Sequence, residues 1–278
     1  MELLGDTHFV VLPEISRSLP SQHLNIYRLS TSNASSGPPV TLQLPDVRLN
    51  RGEHVVSYQL LSSRYSPDPE AHFCTDPSHS MIVLTYYIRG QDDEYASHLL
   101  IPHSALLAQV KIMADSTGSP APLDGLRGPS PVPWEDWGAL RCLRLRVPLA
   151  HPGWVHHTSL IPWGSRMPVV AFCGTSPVVY VVDINPFVAR HALTRRHDLD
   201  SNLESEAAAT AIVGDVETAL PGVFDPDCAT IPYVVYRFKI PHSAWGAAIR
   251  VVRMSMTGFT VTSDDGGRLG EAEETWTV

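Results

Sequence analysis

Three segments, HVVSYQLLS (54–62), SMIVLTYYIR (80–89) and YASHLLIP (95–102), follow one another within fifty residues and decide how the chain is read. Each is short, rich in Val, Ile, Leu and Tyr, and bounded by Gly, Pro, Ser or Asp, which is the pattern of a strand between turns. All three are apolar enough to be buried on both faces, which suits the inner strands of a propeller blade better than a sandwich wetted on one side.

The same reading extends along the chain. Strands are expected at THFVVLP (7–13), LNIYRLS (24–30) and PVTLQLP (39–45), and then at LRCLRLRVP (140–148), WVHHTSLI (154–161), MPVVAFC (167–173) and PVVYVVDIN (177–185). The last three are YVVYRFKI (233–240), AIRVVRMS (248–255) and GFTVTSD (258–264). With the opening segments this gives thirteen strands. Helical spacing is confined to SALLAQVKIMA (104–114) and SNLESEAAATAI (201–212). The expected class is all-β, with many short antiparallel strands, one or two short helices and a propeller-like or incomplete-propeller layout; sandwiches and barrels are the other all-β options. DSTGSPAPLDGLRGPSPVP (115–133) reads as an exposed Gly/Pro/Ser-rich loop between a first half (1–114) and a second half (134–278) packed with it as one domain. A second polar stretch, from Ala192 to about Ser205, reads as an insertion between strands.

Composition narrows the function. Apolar residues make up 44% of the chain, enough for a core. Against 20 Lys and Arg stand 29 Asp and Glu, with no basic stripe, so nucleic acid and anionic membrane surfaces are not expected partners. Apolar runs stop far short of the ~20 residues that span a bilayer. MELLGDTHFVVL carries no basic residue ahead of its apolar ones, unlike a secretory signal, so Asn33-Ala34-Ser35 is not expected to be glycosylated. Cys74, Cys142, Cys173 and Cys228 are widely spaced and read as reduced core thiols of a cytosolic or nuclear protein.

No segment carries a coherent catalytic pattern, and no cofactor is expected. Ile-Pro-His-Ser-Ala occurs at 101–105 and again at 240–244, each time between a strand and a helix-compatible run. Adjacent His and Ser diverge in an extended segment, so the repeat reads as a strand-to-helix corner built twice, with Pro ending the strand and Ser capping the next turn. His72-x-Cys74-x4-His79 lacks an evident fourth ligand, His156-His157 lies in a strand-like stretch, and Gly174-Thr175-Ser176 lacks the frame of a nucleophile elbow and reads as a hairpin. Gly5-Asp6-Thr7 and Gly214-Asp215-Val216 read as turns opening strands. In PVVYVVDINP, Asp183 and Asn185 are expected at the end of a buried strand, bonding nearby backbone amides.

PWEDWG (133–138) is the most distinctive stretch. Trp134, Glu135, Asp136 and Trp137 form the candidate partner-binding set, as an aromatic patch holding an acidic pair. The competing reading makes the two tryptophans anchors that fasten the second half to the core.

PWEDWG, VVYVVDINPFVARH (178–191), DPDCATIPYVVYR (225–237) and VRMSMTGFTVT (252–262) together resemble, in order and spacing, the C-terminal region of F-box proteins from basidiomycete fungi. That region carries a W-x-x-W-G element, a D-x-N-P after an apolar strand, an acid-rich lead into L-P-Y, and a late glycine-leucine-x-valine strand. The corner at IPHSALLAQV fits as well. The resemblance implies a non-catalytic module that recognises a protein partner. F-box proteins dock on a ligase adaptor through a helical module at their N-terminus, whereas this chain is expected to enter a strand at residue 7, so adaptor binding is not expected of it. Two alternatives stay open: a hydrolase in which His, Asp and Ser from separate strands converge, which 13 histidines allow, and a domain with no present activity.

Overall fold

A computed structural model describes residues 1–4, 7–13, 23–29, 40–47, 49–63, 79–91, 94–116, 130–149, 159–173, 176–196, 231–239, 248–255, 258–264 and 271–277. Among the described residues, four sheets built almost entirely of antiparallel strands make up the fold. The first holds β1 (Glu2–Leu4), β2 (His8–Val11), β3 (His23–Arg28) and β4 (Val40–Gln43) in chain order, and the second holds β5 (His54–Ser62), β6 (Met81–Arg89), β7 (Glu94–Pro102) and β8 (Leu143–Leu149) likewise. In the third, β11 (Ser176–Asp183) lies between β10 (Arg166–Cys173) and β12 (Val234–Lys239). The fourth runs β15 (Glu271–Thr277), β14 (Gly258–Asp264), β13 (Ala248–Met254), β9 (Ser159–Ile161), with β9 parallel to β13. Helix α1 (His103–Ser116) follows β7, the single turn α2 (Trp134–Trp137) precedes β8, and α3 (Pro186–Arg196) follows β11.

Alternation along the strands explains how the sheets stack. In β6, Ile82, Leu84, Tyr86 and Ile88 face the first sheet and join Leu4, Val10, Leu24, Ile26 and Leu42 in one core, whereas Met81 and Val83 face the third sheet and join Met167, Val178, Tyr180 and Val182 in another. β11 does the same one layer on: Val179 and Val181 turn from that core to a third one, with Val252, Met254, Phe259 and Val261 of the fourth sheet. The sheets therefore pack face to face in series, and β6 and β11 of the two middle ones are covered on both faces. Near-continuous Val, Ile and Leu in β6 and β11 is the sequence signature of that double burial.

The all-β class and the few helices match the sequence expectation, as does α1 at the first Ile-Pro-His-Ser-Ala. The second copy, the helix expected at 201–212, and most of 115–133 lie outside the described residues, as do Gly5-Asp6 and Gly214-Asp215. Ser176 pairs with Cys173 across the β10–β11 hairpin, the turn expected at Gly-Thr-Ser.

Other expectations need correcting. β5 is not buried on both faces: it is the edge strand of the second sheet, bulged between Val55 and Ser57, with Val56 and Tyr58 exposed. The two halves meet within one sheet, since β8 pairs with β7 over Leu143–Leu149 and completes the sheet begun before the loop. The polar insertion expected from Ala192 begins inside a helix, since α3 runs Pro186–Arg196. The described strands number fifteen, with β1 and β15 added at the outer edges of the first and fourth sheets. No described helix is long and apolar enough to cross a membrane.

Candidate functional site

The Trp-Glu-Asp-Trp stretch is a corner fastened to the first sheet. Val132 bridges to β4, its N–H donating to the Thr41 carbonyl (2.9 Å) and its carbonyl accepting from Gln43 N–H (2.8 Å). Pro133 then enters α2 with the fixed φ that suits a helix start. The Gly138 N–H donates to the Trp134 carbonyl at 2.8 Å, and the Cys142 N–H to the Gly138 carbonyl at 3.0 Å, closing two successive turns. One helical turn puts residues three apart on the same side, so the indoles of Trp134 and Trp137 meet edge to face, 5.1 Å between centroids at 87°.

The two tryptophans then part company. Trp137 is buried in the core between the first two sheets, and its indole N–H donates to the Gln43 carbonyl at 2.8 Å. It is an anchor, and the exposed-patch reading does not apply to it. Trp134 is half-buried, lying against the same core. Its ring occupies the space over Gly138, where an added Cβ would come within 1.9 Å of Cζ3. Glu135 and Asp136 are exposed. Leu140, the first residue of the strand expected at 140–148, instead lies two residues beyond the turn, 72% exposed and ahead of β8. The corner therefore offers two carboxylates, the outer side of one indole and one large apolar side chain, on a backbone pinned from beneath.

Two polar clusters elsewhere hold the fold together. Glu53 accepts hydrogen bonds from the Tyr95 hydroxyl (2.6 Å), the Asn50 N–H (2.7 Å) and Arg146 (3.1 Å), and the Arg146 guanidinium lies 3.7 Å over the Tyr95 ring. Burial raises the Glu53 carboxyl pKa, but the bonds from Tyr95 and Asn50 and the Arg146 charge outweigh it and hold the carboxyl below its usual range. At the end of β11, the fully buried Asp183 accepts from the Ser165 hydroxyl (2.6 Å), the Asn185 N–H (2.9 Å) and Arg166 (3.3 Å). Asn185 in turn caps α3 by accepting from Phe187 N–H at 2.9 Å, with Pro186 in the first helical position. These are the backbone bonds expected of the Asp-Ile-Asn-Pro stretch.

Among the described residues, the buried hydroxyl–carboxylate pair and the buried imidazole lie in different sheets. The Ser165 hydroxyl bonds Asp183 between β10 and β11, whereas the buried His98 ring bonds the Thr85 hydroxyl at 2.9 Å between β6 and β7. Burial pushes the His98 imidazole down to about 4. The His79 ring lies 5.5 Å from the ring of Phe187, while His72, Cys74, His156 and His157 fall outside the described residues. Among the described residues, no group of three His, Cys, Asp or Glu is placed to hold a metal ion. No family model, curated protein or solved structure matches the chain.

Proposed function

We propose that the chain is a non-catalytic protein-interaction module. In this reading it is an incomplete propeller, related to the recognition region of basidiomycete F-box proteins and working in the cytoplasm or nucleus. Its partner is a protein seated on the α2 corner, not a nucleic acid or a membrane. The observation that carries the reading is the contrast within six residues: Trp137 is fixed in the core while Glu135, Asp136 and Leu140 project from the turn it holds. Binding residues gather on short segments held by a rigid scaffold, and a pinned turn loses little entropy when a partner covers it.

Comparative affinity capture tests this. Glu135→Arg/Asp136→Arg should fold as the parent does yet lose at least one protein that the parent retains. An unchanged set of retained proteins overturns the proposal. So does steady ester or peptide turnover by the purified chain that a single His substitution abolishes. A ligase adaptor copurifying with the chain alone would show that docking does not need the helical module.

A further inference from the structure

A second surface has the opposite character. Helix α3 turns the fully buried Ala189 inward and packs on β12, which leaves Phe187, Arg190 and His191, at successive helical spacings, exposed on its outer side. The Phe187 ring is 59% exposed, with the Arg190 guanidinium 5.8 Å from its centroid. The helix carries three arginines and no acid, in a chain where acids outnumber bases 29 to 20.

Each surface thus pairs a large exposed apolar side chain with charge of one sign: Phe187 with Arg190 on α3, and Leu140 with Glu135 and Asp136 at α2. The two lie against different sheets, α2 on β4 and α3 on β12. Each remains exposed within one copy. We infer that copies of this chain associate through these surfaces, the cationic face of α3 in one copy seating on the acidic α2 corner of another. Phe187 covers Leu140, and the Arg190 guanidinium reaches the two carboxylates, a fork matched to that geometry. The inference rests on the α2 corner being a binding surface, and it adds the surface that meets it.

Sedimentation velocity of the full chain tests it. At about 0.05 M salt the average mass should rise with concentration. At about 0.5 M salt, where the Debye length is only a few ångströms, it should fall back towards the monomer. Phe187→Ser/Arg190→Glu and Glu135→Arg/Asp136→Arg should each raise the dissociation constant about tenfold or more. An equimolar mixture of the two variants should associate again, because one keeps α3 and the other keeps the corner. All four side chains are exposed, and thermal unfolding checks that folding is kept; if a double variant unfolds, Arg190→Glu alone replaces it on α3 and Asp136→Arg alone on the α2 corner. A wild-type chain that stays monomeric at low salt overturns the inference, as does association that survives either variant or a mixture that fails to associate. If self-association is absent but capture by the α2 corner is intact, this inference falls and the recognition reading stands; if the charge-reversed corner loses neither, both fall.

Discussion

Gly138→Ala isolates the packing that holds the α2 corner. Gly138 has φ −108° and ψ −37°, which alanine adopts freely, so the backbone itself is not strained by the change. The cost is steric. The new Cβ would lie 1.9, 2.2 and 2.6 Å from Cζ3, Cε3 and Cη2 of Trp134, so the indole must swing away. That forfeits its edge-to-face contact with Trp137, about 0.5–1.5 kcal/mol. It also exposes roughly 50 Å² of apolar ring, about 1 kcal/mol more. The expected loss is about 2 kcal/mol, read by urea unfolding at pH 7 with circular dichroism, together with a red shift in tryptophan emission. On a Trp134→Ala background the ring is gone, and the same glycine change should add less than about 0.5 kcal/mol. Equal costs on both backgrounds, or no cost in the parent, would refute the packing argument.

Asp183→Ala should destabilise by about 3 kcal/mol, since it strands the Ser165 hydroxyl, the Asn185 N–H and the Arg166 charge, and Asp183→Asn, which keeps an acceptor oxygen, should cost less than half of that; equal losses would refute this by showing that the acceptor an amide keeps recovers nothing, while a negligible loss for Ala would show that the cluster does not stabilise the fold. His98 gives the chain an acid-sensitive core. Its folded pKa of about 4 lies below the unfolded 6.5, so its contribution is fully present above pH 6.5 and is lost as the pH falls from there towards 4, by roughly 3 kcal/mol. His98→Gln should flatten the dependence of unfolding free energy on pH in that window, and an unchanged slope would exclude His98 as its source. Leu140→Ser, at a side chain 72% exposed, should change stability by less than about 0.5 kcal/mol while weakening association; a larger loss of stability would place Leu140 in the core.

The parts of the fold legible in the sequence are those where burial and local chemistry agree. β6 and β11 are apolar on both faces because both faces are covered, and Asp183-Ile184-Asn185-Pro186 marks a strand end because its side chains bond the amides that the strand leaves behind. α3 is not legible in the sequence, because its outer side carries Phe187 in place of a polar residue, which masks the amphipathic pattern. β15, EAEETWT, gives no apolar alternation; it is a strand because β14 supplies the ladder, with Val261 opposite Glu274 and Phe259 opposite Trp276. At the candidate site, residue types alone could not separate Trp134 from Trp137. That separation needs β4 beneath the turn, whose Gln43 carbonyl receives only one of the two indoles.

The most direct measurement of whether the α2 corner is a binding surface is carboxyl footprinting of Glu135 and Asp136, by carbodiimide labelling and peptide mass spectrometry. Labelling is compared between the dilute purified chain and the same chain in concentrated lysate, with Glu94 as the internal reference. Both corner carboxylates are exposed in the isolated chain, whereas Glu94 lies at the start of β7, with its side chain 9% exposed and paired with Arg89. A seated partner predicts that labelling of Glu135 and Asp136 drops severalfold in lysate relative to Glu94. An unchanged ratio in lysate would contradict it.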